Sequence, residues 1–358
     1  MTEPAHGGLE GVIAAETVLS HVDGERGRLL IRGQALEAVV AGGFEAAVAL
    51  LWDGFAGEGL TRATVLGELG AGRRAAFADL PRWLPAARDA GIAEGIRLAL
   101  AALPDAAGPA RIAATLPVAL AALLRARQHL APVAPQPAAP AAADFLRMLR
   151  GTPAGEAEIA ALDAYLATVI DHGLNASTFA ARVVASTRAS LAAAATAAFC
   201  ALSGPLHGGA PGPVLDMLDA IGNAENIDPW LERALRRGER LMGFGHRVYR
   251  VRDPRADALK AALERLDPGA GRLRLAQQVE ARALAALERL KPGRPLATNV
   301  EFYTALLLDA VGLPRDALVT VFAMSRAAGW LAHALEQQKT GRLIRPAARY
   351  IGPEAEAA

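Results

Sequence analysis

Three histidines sit among residues that could do chemistry with them. His172 lies in "IDHGLNAST", His207 in "SGPLHGGAPGP" and His246 in "LMGFGHRVYRVRDPR". Their spacing fits no local metal motif of the His-x3-His kind, so a metal site is not expected. Gly243 and Gly245 stand just before His246, and Arg247, Arg250, Arg252 and Arg255 follow it. Uncovered backbone beside guanidinium groups suits phosphates or carboxylates, which arginine grips in a fork. The stretch has neither the third glycine of a dinucleotide fingerprint nor the Gly-Lys-Ser/Thr of a P-loop. Toward the C-terminus, Arg326 sits in the apolar "AMSRAAGWLAHALEQ", where a charge wants an anionic partner. Arg345 precedes a proline in the extended "RLIRPAARYIG". Glu301 heads the apolar run "NVEFYTALLLDAVGLP". On local grounds it reads as a first-turn carboxylate drawn to the positive end of a helix, which needs no chemistry.

These residues need a scaffold, and composition says which kind. The 358 residues are 53% hydrophobic but only 5% aromatic, so Ala, Leu and Val must build the core. That composition favours close-packed helices, and the length suggests two domains or one with a lobe. Ile159, Leu162, Leu166 and Val169 repeat at helical spacing, as do Leu275, Val279, Leu287 and Leu290. Asp23-Gly24, between two short apolar runs, predicts a small hairpin. Residues 131–143 read as a Pro/Ala-rich connector, and the stretch from about 204 to 260 as rich in loops. Asp253-Pro254 has the form of an N-cap and first-turn proline.

With 38 basic and 37 acidic residues, the net charge of +1 points to neither nucleic acid nor a membrane surface. One cysteine, Cys200, leaves no intrachain disulfide and reads as a small buried side chain. The opening "MTEPAHGGLE" has no signal-peptide pattern, and the apolar stretches are broken by Arg, Asp or Pro. A cytoplasmic protein is expected.

Taken together, "PLHGGA", "GFGHRVYRVRDPR", "NVEFY", "SRAAGWLAHALEQ" and "IRPAARYIG" resemble the citrate synthase family in order and spacing. "DHGLNASTFAARVVAST" and "GLEGVIAAETVLSHVDGERGRLLIRG" extend the resemblance from about Gly8 to Gly352. It implies an all-α fold with a small N-terminal β-hairpin. A large domain (1–208 and 313–358) would carry an inserted helical domain (209–312) that closes over the site. It implies a homodimer that condenses acetyl-CoA with oxaloacetate and needs no cofactor or metal. Residue by residue, Glu301 would take the methyl proton, His207 would hydrogen-bond the thioester oxygen and His246 would polarise the oxaloacetate carbonyl. His172, Arg255 and Arg326 would hold oxaloacetate, with Arg345 reaching in from the other subunit. Gly243, Gly245 and Arg250 would lie toward CoA.

The chain departs from the main pattern of that family in two places. Glu301 stands where Asp is usual, and "HGGAPG" replaces "HGGANE" at Pro211 and Gly212. The extra methylene lengthens the arm by up to about 1.5 Å. Three activities are weighed on this basis. They are citrate synthesis, 2-methylcitrate synthesis from propionyl-CoA, and binding of CoA or oxaloacetate without turnover.

Overall fold

The computed structural model describes residues 9, 11–208, 211–267, 269, 271–290, 293 and 296–353. The chain opens on a small antiparallel sheet. Strands β1 (Ser20–Asp23) and β2 (Arg28–Ile31) pair with Val22 opposite Leu29, joined by a four-residue turn. Leu29 and Ile31 alternate inward as the pleat requires. The expected hairpin is therefore present, but it gains a third strand, β3 (Gln34–Ala35), paired to β2.

Helices make up the rest. First come α1 (Leu36–Gly42), α2 (Phe44–Trp52), α3 (Arg62–Ala78), α4 (Leu80–Ala87), α5 (Ile92–Ala101) and α6 (Pro109–Arg127). The Pro/Ala connector leads into α7 (Ala141–Arg150), then α8 (Glu156–Thr168), α9 (Ala176–Ser186) and α10 (Leu191–Leu202). After the turn with His207 come α11 (Pro211–Ile221) and α12 (Ile227–Arg236), helices inside the zone expected to be loop-rich. An irregular stretch with His246 leads to α13 (Pro254–Leu266) and α14 (Gly271–Leu290). α15 (Val300–Ala310) and α16 (Leu318–Thr340) close the order, and residues 341–353 trail without regular structure.

α6 and α16 form the centre. Both are long and apolar enough to cross a membrane, but most of each is buried against the other helices, which accounts for their apolarity. α3 packs along α6, and α9 and α10 pack on each other and on α16. α13 lies between α15 and α8, tying the 209–312 segment to the remainder. The expectation of a separate lobe there has its first boundary at residues 209 and 210, outside the described residues.

Two side chains differ from the sequence reading for one reason, an alanine-rich helix that hides its own phase. Cys200 is exposed, because α10 buries Ala192, Ala195, Ala198, Phe199 and Leu202 on its other side. On α14 the buried stripe runs Leu273, Ala276, Val279, Ala283, Leu287, leaving Leu290 exposed.

Candidate active site

The site forms where two stretches of chain are sewn together beneath the start of α15. Gly245 N–H donates to Ala297 O at 2.7 Å, Asn299 N–H to Gly243 O at 2.9 Å, and Asp253 N–H to Thr298 O at 3.3 Å. Asn299 is the N-cap of α15. Its Oδ1 accepts from Glu301 N–H at 3.0 Å while its Nδ2 donates to Gly245 O at 2.7 Å. His246 and Glu301 thus stand on one braced unit. Glu280 of α14 strengthens it, accepting from Thr298 Oγ1, Tyr303 Oη and Arg252 Nη1, each at 2.6 Å. Burial would raise the Glu280 carboxyl, but these three donors hold it below its ordinary value.

Gly243 and Gly245 serve this brace directly. Both have positive φ, +87° and +79°, and a Cβ would lie 2.8 Å from Phe302 Cδ2 and 2.9 Å from Leu296 Cδ2, respectively. Their bare sides face packed side chains.

His246 is set by its own loop. Its Nδ1 accepts from Val248 N–H at 3.0 Å and Tyr249 N–H at 3.1 Å. A nitrogen accepting two amides carries no hydrogen, so the ring proton is on Nε2. Burial and the charge of Arg255 lower the ring's pKa to about 4, so it is neutral in ordinary conditions. Arg255 Nη2 lies 3.5 Å from that Nε2. Both atoms are donors and cannot satisfy each other, so they flank a place for one acceptor oxygen. Asp253 anchors Arg255, accepting from its Nε at 3.0 Å and Nη2 at 2.8 Å. As the sequence predicts, Asp253 caps α13, accepting from Arg255 N–H at 3.0 Å; its other oxygen takes Val300 N–H at 3.1 Å.

His172 closes the group. Its ring centroid is 5.5 Å from those of His246 and Tyr249, and its Nε2 is 3.2 Å from Tyr249 Oη. Burial, then Arg255 and Arg326, hold its pKa well below the ordinary value.

Arg326 enters from α16. Its Nε donates to Val169 O at 2.9 Å, its guanidinium lies 4.5 Å from the Phe322 ring centroid, and its buried Nη2 has no partner among the described residues. Burial lowers it to about 10, with Asp171 opposing, so it stays charged at neutral pH. A buried donor left unmade costs about 1–3 kcal/mol, more when charged. Such an orphan marks a place for an anion.

Glu301 is partly exposed, and its carboxylate makes no hydrogen bond among the described residues. It lies in the first turn of α15, as expected, with Asn299 as the N-cap. Burial pushes its pKa up to about 7 against the pull of Arg255 and Arg326. Tyr165 of α8 is buried nearby, and its hydroxyl is raised by burial and by Glu301.

His207 stands in the turn after α10. Its Nε2 lies 2.9 Å from Ser177 Oγ, which accepts from Trp330 Nε1 at 3.1 Å and donates to Asn175 Oδ1 at 2.8 Å. Burial and then Arg326 lower its pKa. Arg250 and Arg345 are exposed, and neither is drawn into the group; Arg345 lies in the extended tail. Pro211 and Gly212 open α11.

Behind these groups runs one face of α16. Arg326, Trp330, His333 and Gln337 follow at helical spacing, all buried. His333 Nδ1 accepts from Arg182 Nε at 3.0 Å, and its Nε2 faces Asp171 Oδ2 at 3.3 Å. Burial would raise Asp171, but His333, Arg326 and Ser20 hold it at about 2. Sequence reading missed this support, along with Ser177, Asn299, Glu280 and Tyr165. The i, i+4, i+7 run of Arg, Trp and His on an otherwise apolar helix was the available signal.

The helical scaffold gathers neutral histidines, buried arginines and a carboxyl with no hydrogen bond among the described residues, an arrangement suited to a small anion. The family model described as "Citrate synthase, C-terminal domain" matches residues 8–347. The putative citrate synthase 2 of Mycobacterium bovis is 41% identical over 97% of this chain and 92% of its own length. The citrate synthase of Haloferax volcanii is 39% identical over 96% and 95%. Among solved structures, the Thermotoga maritima citrate synthase aligns with a TM-score of 0.85 at 29% identity, covering 98% of this chain and 97% of that one. The Thermoplasma acidophilum enzyme, in ternary complex with carboxymethyl coenzyme A and oxaloacetate, aligns at 0.87 and 27% identity, covering 100% and 98%. The chain belongs to the citrate synthase family, and it is an enzyme of the class that turns an acyl group into an alkyl group on transfer.

Proposed function

We propose that the protein condenses acetyl-CoA with oxaloacetate to give citrate and free CoA. The observation that carries this is a set of donors near one carboxylate: the charges of Arg255 and Arg326 both act on Glu301, Arg255 Nη2 lies 3.5 Å from His246 Nε2, and Arg326 Nη2 has no partner among the described residues. Oxaloacetate has two carboxylates and a ketone, which matches that set of charged and neutral donors.

In the proposed reaction Glu301 removes a methyl proton from the thioester. His207 hydrogen-bonds the thioester oxygen, where negative charge develops. The new carbon nucleophile attacks the ketone carbon, whose oxygen His246 Nε2–H polarises and stabilises as it becomes an alkoxide; the proton taken by Glu301 is returned as the hydroxyl forms. Water then cleaves the thioester, releasing CoA. His172, Arg255 and Arg326 orient the substrate, and Arg345 does so from the second subunit of a homodimer. Arg250 meets CoA phosphate beside the turn at Gly243 and Gly245. Residues 209–312 close as a lobe to exclude water from the base. The reaction uses CoA thioester as substrate and no separate cofactor, in the cytoplasm.

The deciding experiment follows CoA release with oxaloacetate and either acetyl-CoA or propionyl-CoA. Faster release from acetyl-CoA upholds the proposal. Faster release from propionyl-CoA makes the enzyme a 2-methylcitrate synthase, a choice worth only about 1–3 kcal/mol in a pocket. No release from either, with both ligands bound, makes it a binding protein.

A further inference from the structure

We propose that the tip of the N-terminal hairpin positions His246, and that Gly24 is the residue through which it acts. The loop after His246 has three successive amides with assigned partners. Val248 N–H and Tyr249 N–H go to the imidazole Nδ1, while Arg250 N–H goes to Gly24 O at 2.9 Å. The same loop presses on the hairpin from the other side. A Cβ at Gly24 would lie 2.3 Å from Val248 O and 2.9 Å from Val248 C. Gly24 is not among the residues with positive φ, so its own backbone would accept a side chain. Only the loop forbids one. Just before Gly24, Asp23 Oδ1 takes Arg26 N–H at 3.0 Å and keeps the turn folded.

The consequence is chemical. The amides of Val248 and Tyr249 place the ring proton on Nε2, where it can face an acceptor beside Arg255. Those two amides keep their aim because the next peptide is pinned to Gly24. The hairpin tip is therefore a positioning element for the tautomer of His246, although none of its atoms touches the ring. That this tautomer serves the ketone rests on the function proposed above; that Gly24 sets it does not.

The test uses the full-length, ligand-free protein and Gly24→Ala. Imidazole 15N resonances report the tautomer directly, and amide exchange reports the Arg250 bond. The unaltered protein is expected to show His246 wholly in the Nε2–H form with a protected Arg250 amide. Gly24→Ala is expected to mix the tautomers, speed Arg250 exchange by at least about a hundredfold, and lower turnover by at least about tenfold, as displacements of an ångström do. Arg26→Ala, which leaves Gly24 and the backbone bond to Asp23 in place, is expected to change none of these. A single Nε2–H tautomer and a protected Arg250 amide in Gly24→Ala overturn the proposal. Where that variant does not fold, an unprotected Arg250 amide in the unaltered protein overturns it instead. A protein with no turnover on either acyl-CoA defeats the proposed function but leaves the tautomer readings to decide this one.

Discussion

His333 points its Nε2 hydrogen at Asp171 Oδ2 across 3.3 Å, with both side chains fully buried. The tautomer is fixed because Arg182 donates to the other ring nitrogen through Nε at 3.0 Å and Nη2 at 2.8 Å. Arg182 also pairs with Glu336, whose Oε1 accepts from Val18 N–H at 2.9 Å. A buried chain of groups thus runs from the N-terminal segment to the residue next to His172. Breaking one link strands its neighbours. His333→Ala is expected to cost about 3–5 kcal/mol, the range for a buried charge that loses its partner. Denaturant unfolding reads that loss. Oxaloacetate KM should rise with it as the turn carrying His172 loosens. An unchanged unfolding midpoint would show that the chain is not coupled.

Glu301 pits stability against chemistry. Its pKa of about 7 in the fold exceeds the ordinary 4.5, so the folded state holds its proton longer than the unfolded chain. Stability therefore falls as pH rises from about 4.5 to 7 and stays lower above that. Glu301→Gln removes the charge and should gain on the order of 1–3 kcal/mol at pH 8 in the ligand-free protein. The same change should cut turnover about 10²- to 10⁴-fold, the usual share of a general base. Thermal melts and CoA release on one preparation test both halves, and a variant that keeps its turnover would remove Glu301 from the proton transfer.

How much of this could be read from the chain alone depends on the kind of signal. Asp253-Pro254 opens α13 as expected, because a cap and a first-turn proline act within a few residues. The all-helical class follows from an Ala- and Leu-rich core. What could not be read is what depends on phase or on distant partners. Cys200 and Leu290 lie on outer faces because alanines on every side of α10 and α14 blur their buried stripes. Glu301 lies in the first turn of α15 as its local setting suggests, but the cap two residues earlier is Asn299, whose amide also reaches Gly245, and that link depends on the fold. Gly243 and Gly245 show in the sequence as bare backbone, but the structural need for glycine there does not. They are required by φ and by Phe302 and Leu296, partners brought close only by the fold. The resemblance supplied the histidines and arginines as a group, but not the Asp171–His333–Arg182 support, which joins α9, α16 and the turn between α8 and α9.

Acid should act on rate and stability through different groups. For kcat/KM, the free enzyme must have Glu301 ionised, so the rate should climb through about pH 7 and then level. Stability in acid is governed in part by His246, whose folded pKa is about 4 against an ordinary 6.5. The unfolded chain binds that proton first, so stability present above about 6.5 is lost as pH falls toward 4. In the rate profile, Glu301→Asp should move the midpoint near pH 7, while the acid unfolding limb stays in place. A rate midpoint unmoved by that change would assign the limb to another group.

Arg326 gives the sharpest test of anion binding, because its Nη2 is buried without a partner among the described residues while its Nε is already committed to Val169 O. Lysine keeps the charge but has no planar fork, so it cannot hold the Val169 carbonyl and an incoming carboxylate with one rigid group. Arg326→Lys is therefore expected to raise the oxaloacetate KM by at least about tenfold, the worth of one charge-assisted hydrogen bond. The KM for the acyl-CoA should change far less. The free protein should lose little stability, since the lost Nε bond is offset by removal of an orphaned buried donor. Oxaloacetate should also protect the unaltered protein against heat more than it protects the variant, because a ligand stabilises by how tightly it binds the folded state. Equal protection of both proteins by oxaloacetate would mean that the unpartnered nitrogen waits for something other than this carboxylate.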